Sequence, residues 1–243
     1  MRLKLYLNSK NSIINVPFNY NHIVSAIIYD LIDDIDFAND LHSKSSFKYF
    51  CFSQINISKP KMIEGGFISR NGKMSFIISS PDDTLITELV KGIMHKSEII
   101  FVGQELTIAK CEIIKEPTFS KLMEFKTLSP IIVTTKKEVD GKLREWDLAP
   151  SDGFFNGIRN NLIKKYLKFN NLDITDKTIA VYSNMKSVKR KRISINKGKN
   201  TTFHRAYLMD IVLEGDIDLI KFAYDCGLGS KNSQGFGLVD IYH

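Results

Sequence analysis

A histidine at position 42 stands in the polar segment DLHSKSSFK, residues 40–48, with Lys44 and Lys48 close behind it. Imidazole exchanges protons near neutrality and an ammonium offsets phosphate charge, so the combination suits acid–base work on a phosphodiester. The segment reads as a connection between rigid elements, a common place for catalytic side chains. The plainer alternative is a loop histidine with no chemistry. Among the other histidines, His95 closes a helix where it meets the dipole. His22 sits in a first helical turn on one face with Tyr29, and His204 lies on a strand beside Arg205. Asp33, Asp34 and Asp36 read as a solvated helix end, unlike the clustered carboxylates of a two-metal nuclease. Cysteines 51, 111 and 226 lack CxxC spacing and are expected as buried free thiols in a reducing cytoplasm. Neither a metal nor another cofactor is expected.

A second stretch with chemical promise is GLGSKNSQGFG at 227–237, which holds four of the fourteen glycines. Glycine costs backbone entropy, so clustering it implies positive φ or a close approach of backbone to something else. Between the pairs Gly227, Gly229 and Gly235, Gly237 stand Ser230, Lys231, Asn232, Ser233 and Gln234, which suit a polyanion lying across bare amides. A helix C-cap followed by a turn is the competing reading. The run follows a helix and enters a strand, so it is not a nucleotide-hydrolase phosphate loop. Asn232 also stands where a dinucleotide fingerprint needs its third glycine.

Charge adds a third signal. The 243 residues carry +7, and residues 1–118 balance 13 basic against 13 acidic side chains, while residues 119–243 hold 21 against 14. Residues 185–199 contain seven cations and no acid, with Lys189, Arg190, Lys191 and Arg192 consecutive. Such an excess attracts a polyanion through counterion release; a hairpin edge guarded by lysines is the alternative. Hydrophobic content of 43% and charged content of 25% describe a globular chain. No apolar run approaches the ~20 residues that span a bilayer, and the N-terminus alternates like a strand without a signal-peptide core. A cytoplasmic protein with no membrane partner is expected.

The elements needed to position these groups follow from periodicity. A strand over 2–8, a helix over 20–34, a strand over 47–57, a hairpin over 67–78 turning at 70–73, a helix over 81–95 and strands over 98–102 and 105–115 make up the first half. After a break at 116–118 come a strand over 125–134, a charged loop over 136–150 with the only tryptophan, and a helix over 153–168. A long hairpin over 177–214 turning at 196–200, a helix capped by Asp216, the glycine run and a strand over 238–242 complete the chain. Two successive β-α-β-β-α-β orders imply an α+β protein of tandem ferredoxin-like domains, 1–118 and 119–243, a fold shared with RNA-recognition modules.

The glycine spacing GhGxxxxxGhG, with Leu228 and Phe236 as its apolar positions, resembles the signature loop of the CRISPR-associated RAMP superfamily. The segment VPFNYNHIVSAIIYDLI at 16–32 resembles the first-helix entry of the CRISPR repeat-processing endoribonucleases, and KTLSPI at 126–131 the opening of their second domain. The resemblance implies a catalytic group of Tyr29, His42 and Lys48, with Lys44 competing for the lysine role. It also implies cleavage of CRISPR precursor RNA by attack of a ribose 2′-OH on its own 3′-phosphate. His42 would accept the 2′-OH proton, Lys48 would offset phosphate charge, and Tyr29 would protonate or orient the leaving 5′-oxygen. The glycine loop and Lys189, Arg190, Lys191 and Arg192 would grip repeat RNA; a homodimer and CRISPR interference subunits are further expected partners. A non-cleaving RNA-binding subunit of a CRISPR ribonucleoprotein is the runner-up. A generic single-strand binder stacking bases on Phe203 and Tyr207 is a third reading.

Overall fold

The computed structural model describes residues 1–43, 46–197 and 200–242, so Lys44 and the tip of the basic hairpin, Gly198 and Lys199, lie outside the described residues. Strand β1 (Arg2–Ser9) places Leu3, Leu5 and Leu7, all fully buried, on the core side of its pleat. Short β2 (Ile14–Pro17) leads to α1 (Asn21–Asp30), which buries Val24, Ile27 and Ile28. The expected helix over 20–34 ends at Asp30, and a second, unexpected helix follows it. Asp34 starts α2 (Ile35–Ser43), its carboxylate accepting from Phe37 N at 2.9 Å and its carbonyl from Ala38 N at 2.9 Å. An acidic N-cap of this kind begins a new helix rather than ending an old one. His42 therefore sits in the last turn of a helix, not in a loop.

The expected strand over 47–57 becomes β3 (Cys51–Phe52) and β4 (Asn56–Ile57), both paired with β7. Between them Gln54 N bonds Leu128 O of the second half at 2.9 Å, an attachment that interrupts the ladder. Strands β5 (Pro60–Ile63) and β6 (Gly66–Ser69) join β2 in a small sheet, while β7 (Lys73–Ser79) pairs with β1. Strands β6 and β7 thus flank the turn at 70–73 as expected but belong to different sheets. Helix α3 (Asp83–His95) is capped by Asp82, and Gly92 on it lies where a Cβ would fall 1.9 Å from Leu31 O. Only glycine lets α3 pack that closely on the end of α1. Strands β8 (Glu98–Phe101) and β9 (Gln104–Ile114) complete a sheet ordered β3-β7-β1-β9-β8.

The second half repeats the plan. Strand β10 (Leu122–Thr127) stops seven residues short of the expected end at 134, before Pro130. The supposed loop over 136–150 is a hairpin of β11 (Thr134–Val139) and β12 (Lys142–Asp147) turning on Asp140-Gly141, both at positive φ. Helix α4 (Asp152–Phe169) buries Phe154, Ile158 and Leu162. Then follow β13 (Ile179–Tyr182), the basic hairpin β14 (Lys189–Lys197) and β15 (Asn200–Leu208), β16 (Asp210–Gly215), α5 (Ile217–Cys226) and β17 (Val239–Ile241). The sheet order is β13-β16-β10-β17. Renumbered within its half, the second sheet runs 2-3-1-4, the ferredoxin-like order; the first has the same order with β9 in the fourth place and β8 added at the edge beyond it, so the α+β tandem arrangement stands. Each sheet has its own core, one around Leu5 and Phe76, the other around Phe125 and Ile158.

Candidate functional site

Tyr29 projects from the last turn of α1, His42 from the last turn of α2, and Lys48 from the segment entering β3. The structure brings all three together. The Tyr29 and His42 rings meet edge to face with centroids 5.0 Å apart. Lys48 Nζ donates to His42 O at 2.7 Å and lies 5.4 Å from the Tyr29 ring centroid. Phe50 supports the far side of Tyr29 at 5.7 Å. His42 is exposed, so its imidazole is open to a large substrate. The Tyr29 hydroxyl is buried without a hydrogen-bond partner, and desolvation pushes its pKa up to about 12. It therefore keeps its proton throughout the neutral range. Among the described residues no group of three or more His, Cys, Asp or Glu side chains converges as metal ligands would.

The glycine run corrects the picture of bare amides. Leu228 N donates to Gly237 O at 2.8 Å, Ser230 N to Ile132 O at 2.8 Å, Gly237 N to Pro130 O at 3.0 Å and Gly235 N to Asn232 O at 3.0 Å. Each of these amides is held by protein. The loop also reaches the first half: Asn21 Nδ2 donates to Gln234 O at 2.9 Å, and Ser25 Oγ to Ser233 O at 3.0 Å. A Cβ on Gly235 would lie 2.4 Å from the Phe52 ring, and one on Gly227 2.9 Å from Cys51 Sγ. Gly227 and Gly235 thus allow close packing of the two halves, while Pro130 and Ile132 hold the loop from within the second half. Lys231 pairs with Glu145 at 3.3 Å.

Sequence reasoning missed two cations in this joint. Lys165 on α4 is 1% exposed, yet its ammonium donates to Gly227 O at 2.6 Å and Asn232 Oδ1 at 3.0 Å. Asn232 in turn donates to Leu228 O and Phe236 O, both at 3.0 Å. Arg2 on β1 is 2% exposed and lies over the Tyr224 ring, donating to Tyr224 O and, at 2.7 Å, to Val239 O. Lys165 occupies an apolar helical stripe between Leu162 and Phe169, which was the available signal; Arg2 carried none.

The basic hairpin flanks a cavity of about 740 Å³ against the start of α1, lined by Lys191, Arg192 and Phe203 on one side and Phe18, Tyr20 and Phe67 on the other. Cations alternating with aromatic faces suit single-stranded nucleic acid. Phe203 is 56% exposed with Arg192 4.2 Å over its ring, whereas Tyr207 is 6% exposed against Phe154 and cannot stack bases. Cys51 and Cys226 are buried free thiols, and burial raises both pKa values. No helix among the described residues is long and apolar enough to cross a membrane.

Two ferredoxin-like sheets coupled through a glycine loop define a tandem ferredoxin-like protein of the RAMP class. Residues 15–112 match the family described as CRISPR-associated protein Cas6, N-terminal, and residues 114–241 match CRISPR associated protein Cas6, C-terminal. The chain is 34% identical over 242 residues to the CRISPR-associated endoribonuclease Cas6 1 of Methanocaldococcus jannaschii, spanning 98% of this chain and 92% of that protein. The chain belongs to the Cas6 family. It is 27% identical to the CRISPR-associated endoribonuclease Cas6 of Pyrococcus furiosus, across 98% of this chain and 88% of that one. A solved structure described as CRISPR associated protein Cas6 aligns with a TM-score of 0.85 at 32% identity, covering 100% of this chain and 99% of that one. Another, described as an RAMP protein binding different RNA substrates, aligns at 0.86 and 27% identity over 100% of both chains.

Proposed function

We propose that the protein is an endoribonuclease that cuts CRISPR precursor RNA within its repeat by metal-independent attack of a ribose 2′-OH, giving a 2′,3′-cyclic phosphate and a 5′-OH. One observation carries the reading: the meeting of Tyr29, Lys48 and the exposed His42 in one group drawn from three separate elements. Full-length similarity to proteins named endoribonucleases supports it.

In this reaction the imidazole of His42 takes the proton of the attacking hydroxyl. The 2′-oxygen forms a bond to phosphorus, and the bond to the 5′-oxygen breaks. Lys48 moves from the His42 carbonyl toward the phosphate oxygens, where negative charge grows. Such hydrogen bonds commonly rearrange only when substrate arrives. Tyr29 packs against the imidazole edge, and its hydroxyl, neutral up to about 12, keeps a proton for the leaving oxygen once RNA binding turns it out of its buried position. The catalytic group belongs to the unit 1–118. The unit 119–243 grips RNA through Lys189, Arg190, Lys191 and Arg192 beside the aromatic groove.

Labelled repeat RNA incubated with excess EDTA tests the proposal. Cutting that survives the chelator, stops with a 2′-deoxy sugar at the cleavage position, and is lost in His42→Ala with binding retained is the expected result. Binding without cleavage by the unaltered protein would make it a non-catalytic RNA-binding subunit instead. Full activity in His42→Ala would remove that residue from the mechanism.

A further inference from the structure

A second cavity, of about 320 Å³, opens beside the basic hairpin, where β12 abuts β15. It is lined by Arg190, Arg192, Arg205, Trp146, Phe203 and His204, together with Glu145 and Asp147. Arg192 and Arg205 are direct cross-strand partners, and Arg190 lies two residues from Arg192 on the same face. Like charges placed opposite one another destabilise a hairpin unless something neutralises them. The two carboxylates do not. Asp147 is spent on β15, its Oδ1 3.1 Å from His204 Nδ1 and its Oδ2 accepting from Arg205 N at 2.8 Å. Glu145 pairs with Lys231. Among the described residues no carboxylate ion-pairs with any of the three guanidiniums.

Beside this unneutralised charge stands Trp146, the only tryptophan, 44% exposed on a hairpin where a large apolar ring gains little. Three arginines lining one cavity together with a part-exposed aromatic ring match a phosphate with its attached base. Arg192 and Phe203 line both this cavity and the larger groove beside α1, so the two adjoin at these side chains.

We propose that this cavity is a subsite for one nucleotide of bound RNA, its phosphate held by Arg190, Arg192 and Arg205 and its base stacked on Trp146. The proposal rests on the RNA-processing reading above. The His204–Asp147 contact acts as a positioning pair that fixes β12 against β15, so that Trp146 and Arg205 face the same space.

Trp146 is its own probe. In the His42→Ala protein, repeat RNA is titrated while tryptophan emission and the anisotropy of labelled RNA are followed together. Saturable quenching that tracks the anisotropy is expected. Arg205→Gln and Trp146→Leu should each weaken RNA binding by about tenfold at unchanged melting temperature, in line with a single phosphate or stacking contact. Arg205→Gln should also lower the slope of log affinity against log salt by about 0.7, the share of one single-strand phosphate contact. RNA binding with unchanged emission and full affinity in both variants would overturn the subsite and leave the RNA reading intact. Equal quenching by adenosine monophosphate or inorganic phosphate, with RNA affinity untouched by Arg205→Gln, would assign the cavity to a free nucleotide or anion and overturn it too. Absence of any RNA binding in the anisotropy channel would defeat both readings together.

Discussion

Gly237→Ala separates a glycine run closed on itself by protein contacts from one left open to cradle a polyanion. Gly237 has φ +80°, and a Cβ there would fall 1.9 Å from Leu228 O and 2.7 Å from Asn232 Nδ2. Those atoms have no room to retreat, because Leu228 O accepts from Asn232, which is itself held by Lys165. The left-handed backbone costs a non-glycine residue about 1–2 kcal/mol, offset by about 0.4–1 kcal/mol gained from a less disordered unfolded chain. Gly103→Ala carries the same two terms, since its φ is +69° and its Cβ would meet nothing within 4 Å. Position 237 adds overpacking of about 1–3 kcal/mol. It also distorts the Leu228–Gly237, Gly237–Pro130 and Asn232–Leu228 hydrogen bonds, each worth about 0.5–1.5 kcal/mol. The two variants should therefore differ by about 3 kcal/mol, a shift of more than about 1 M in urea midpoint. Urea unfolding is measured without RNA. Equal midpoints for Gly237→Ala and Gly103→Ala would refute that closure, because tight packing around position 237 could then not explain the glycine.

Lys165→Met leaves Gly227 O and Asn232 Oδ1 buried without their donor while removing a buried charge; a loss of about 2–4 kcal/mol is expected. The exposed neighbour Lys164→Met should stay within about 0.5 kcal/mol on the same unfolding curves. Burial holds Tyr20, Tyr29 and Tyr224 neutral up to about 12, against 10.0 for the free side chain. The folded state then binds more protons than the unfolded one in that window, so stability is full below the lower value and falls as pH rises through the upper one. Urea midpoints should drop between about pH 10 and about pH 12, less steeply in Tyr29→Phe. Replacing Lys189, Arg190, Lys191 and Arg192 with glutamate should weaken RNA binding and flatten its salt dependence by about 0.7 per lost phosphate contact, read by anisotropy across a salt series.

The order of elements was legible because apolar periodicity is local: Leu3, Leu5 and Leu7 announce a central strand, and Phe154, Ile158 and Leu162 a helix face, whatever surrounds them. Two successive β-α-β-β-α-β orders then determine two ferredoxin-like sheets. Composition likewise placed the cations of the second half, and the three residues proposed as the catalytic group, Tyr29, His42 and Lys48, could be named from the sequence. Boundaries set by tertiary contacts were not. Asp34 ends one helical pattern by capping another, and Gln54 breaks a strand because it bonds across to Leu128. The hairpin at Asp140-Gly141 did carry a local signal, hidden beneath a run of charges. What only the tertiary structure decided is where each polar group spends its hydrogen bonds. The amides of the glycine run look available in sequence, but the chain folds Pro130, Ile132 and Asn21 against that run, and a lysine on an apolar stripe becomes its hidden clasp. Periodicity fixes which face a residue occupies; only the meeting of distant segments determines what it faces.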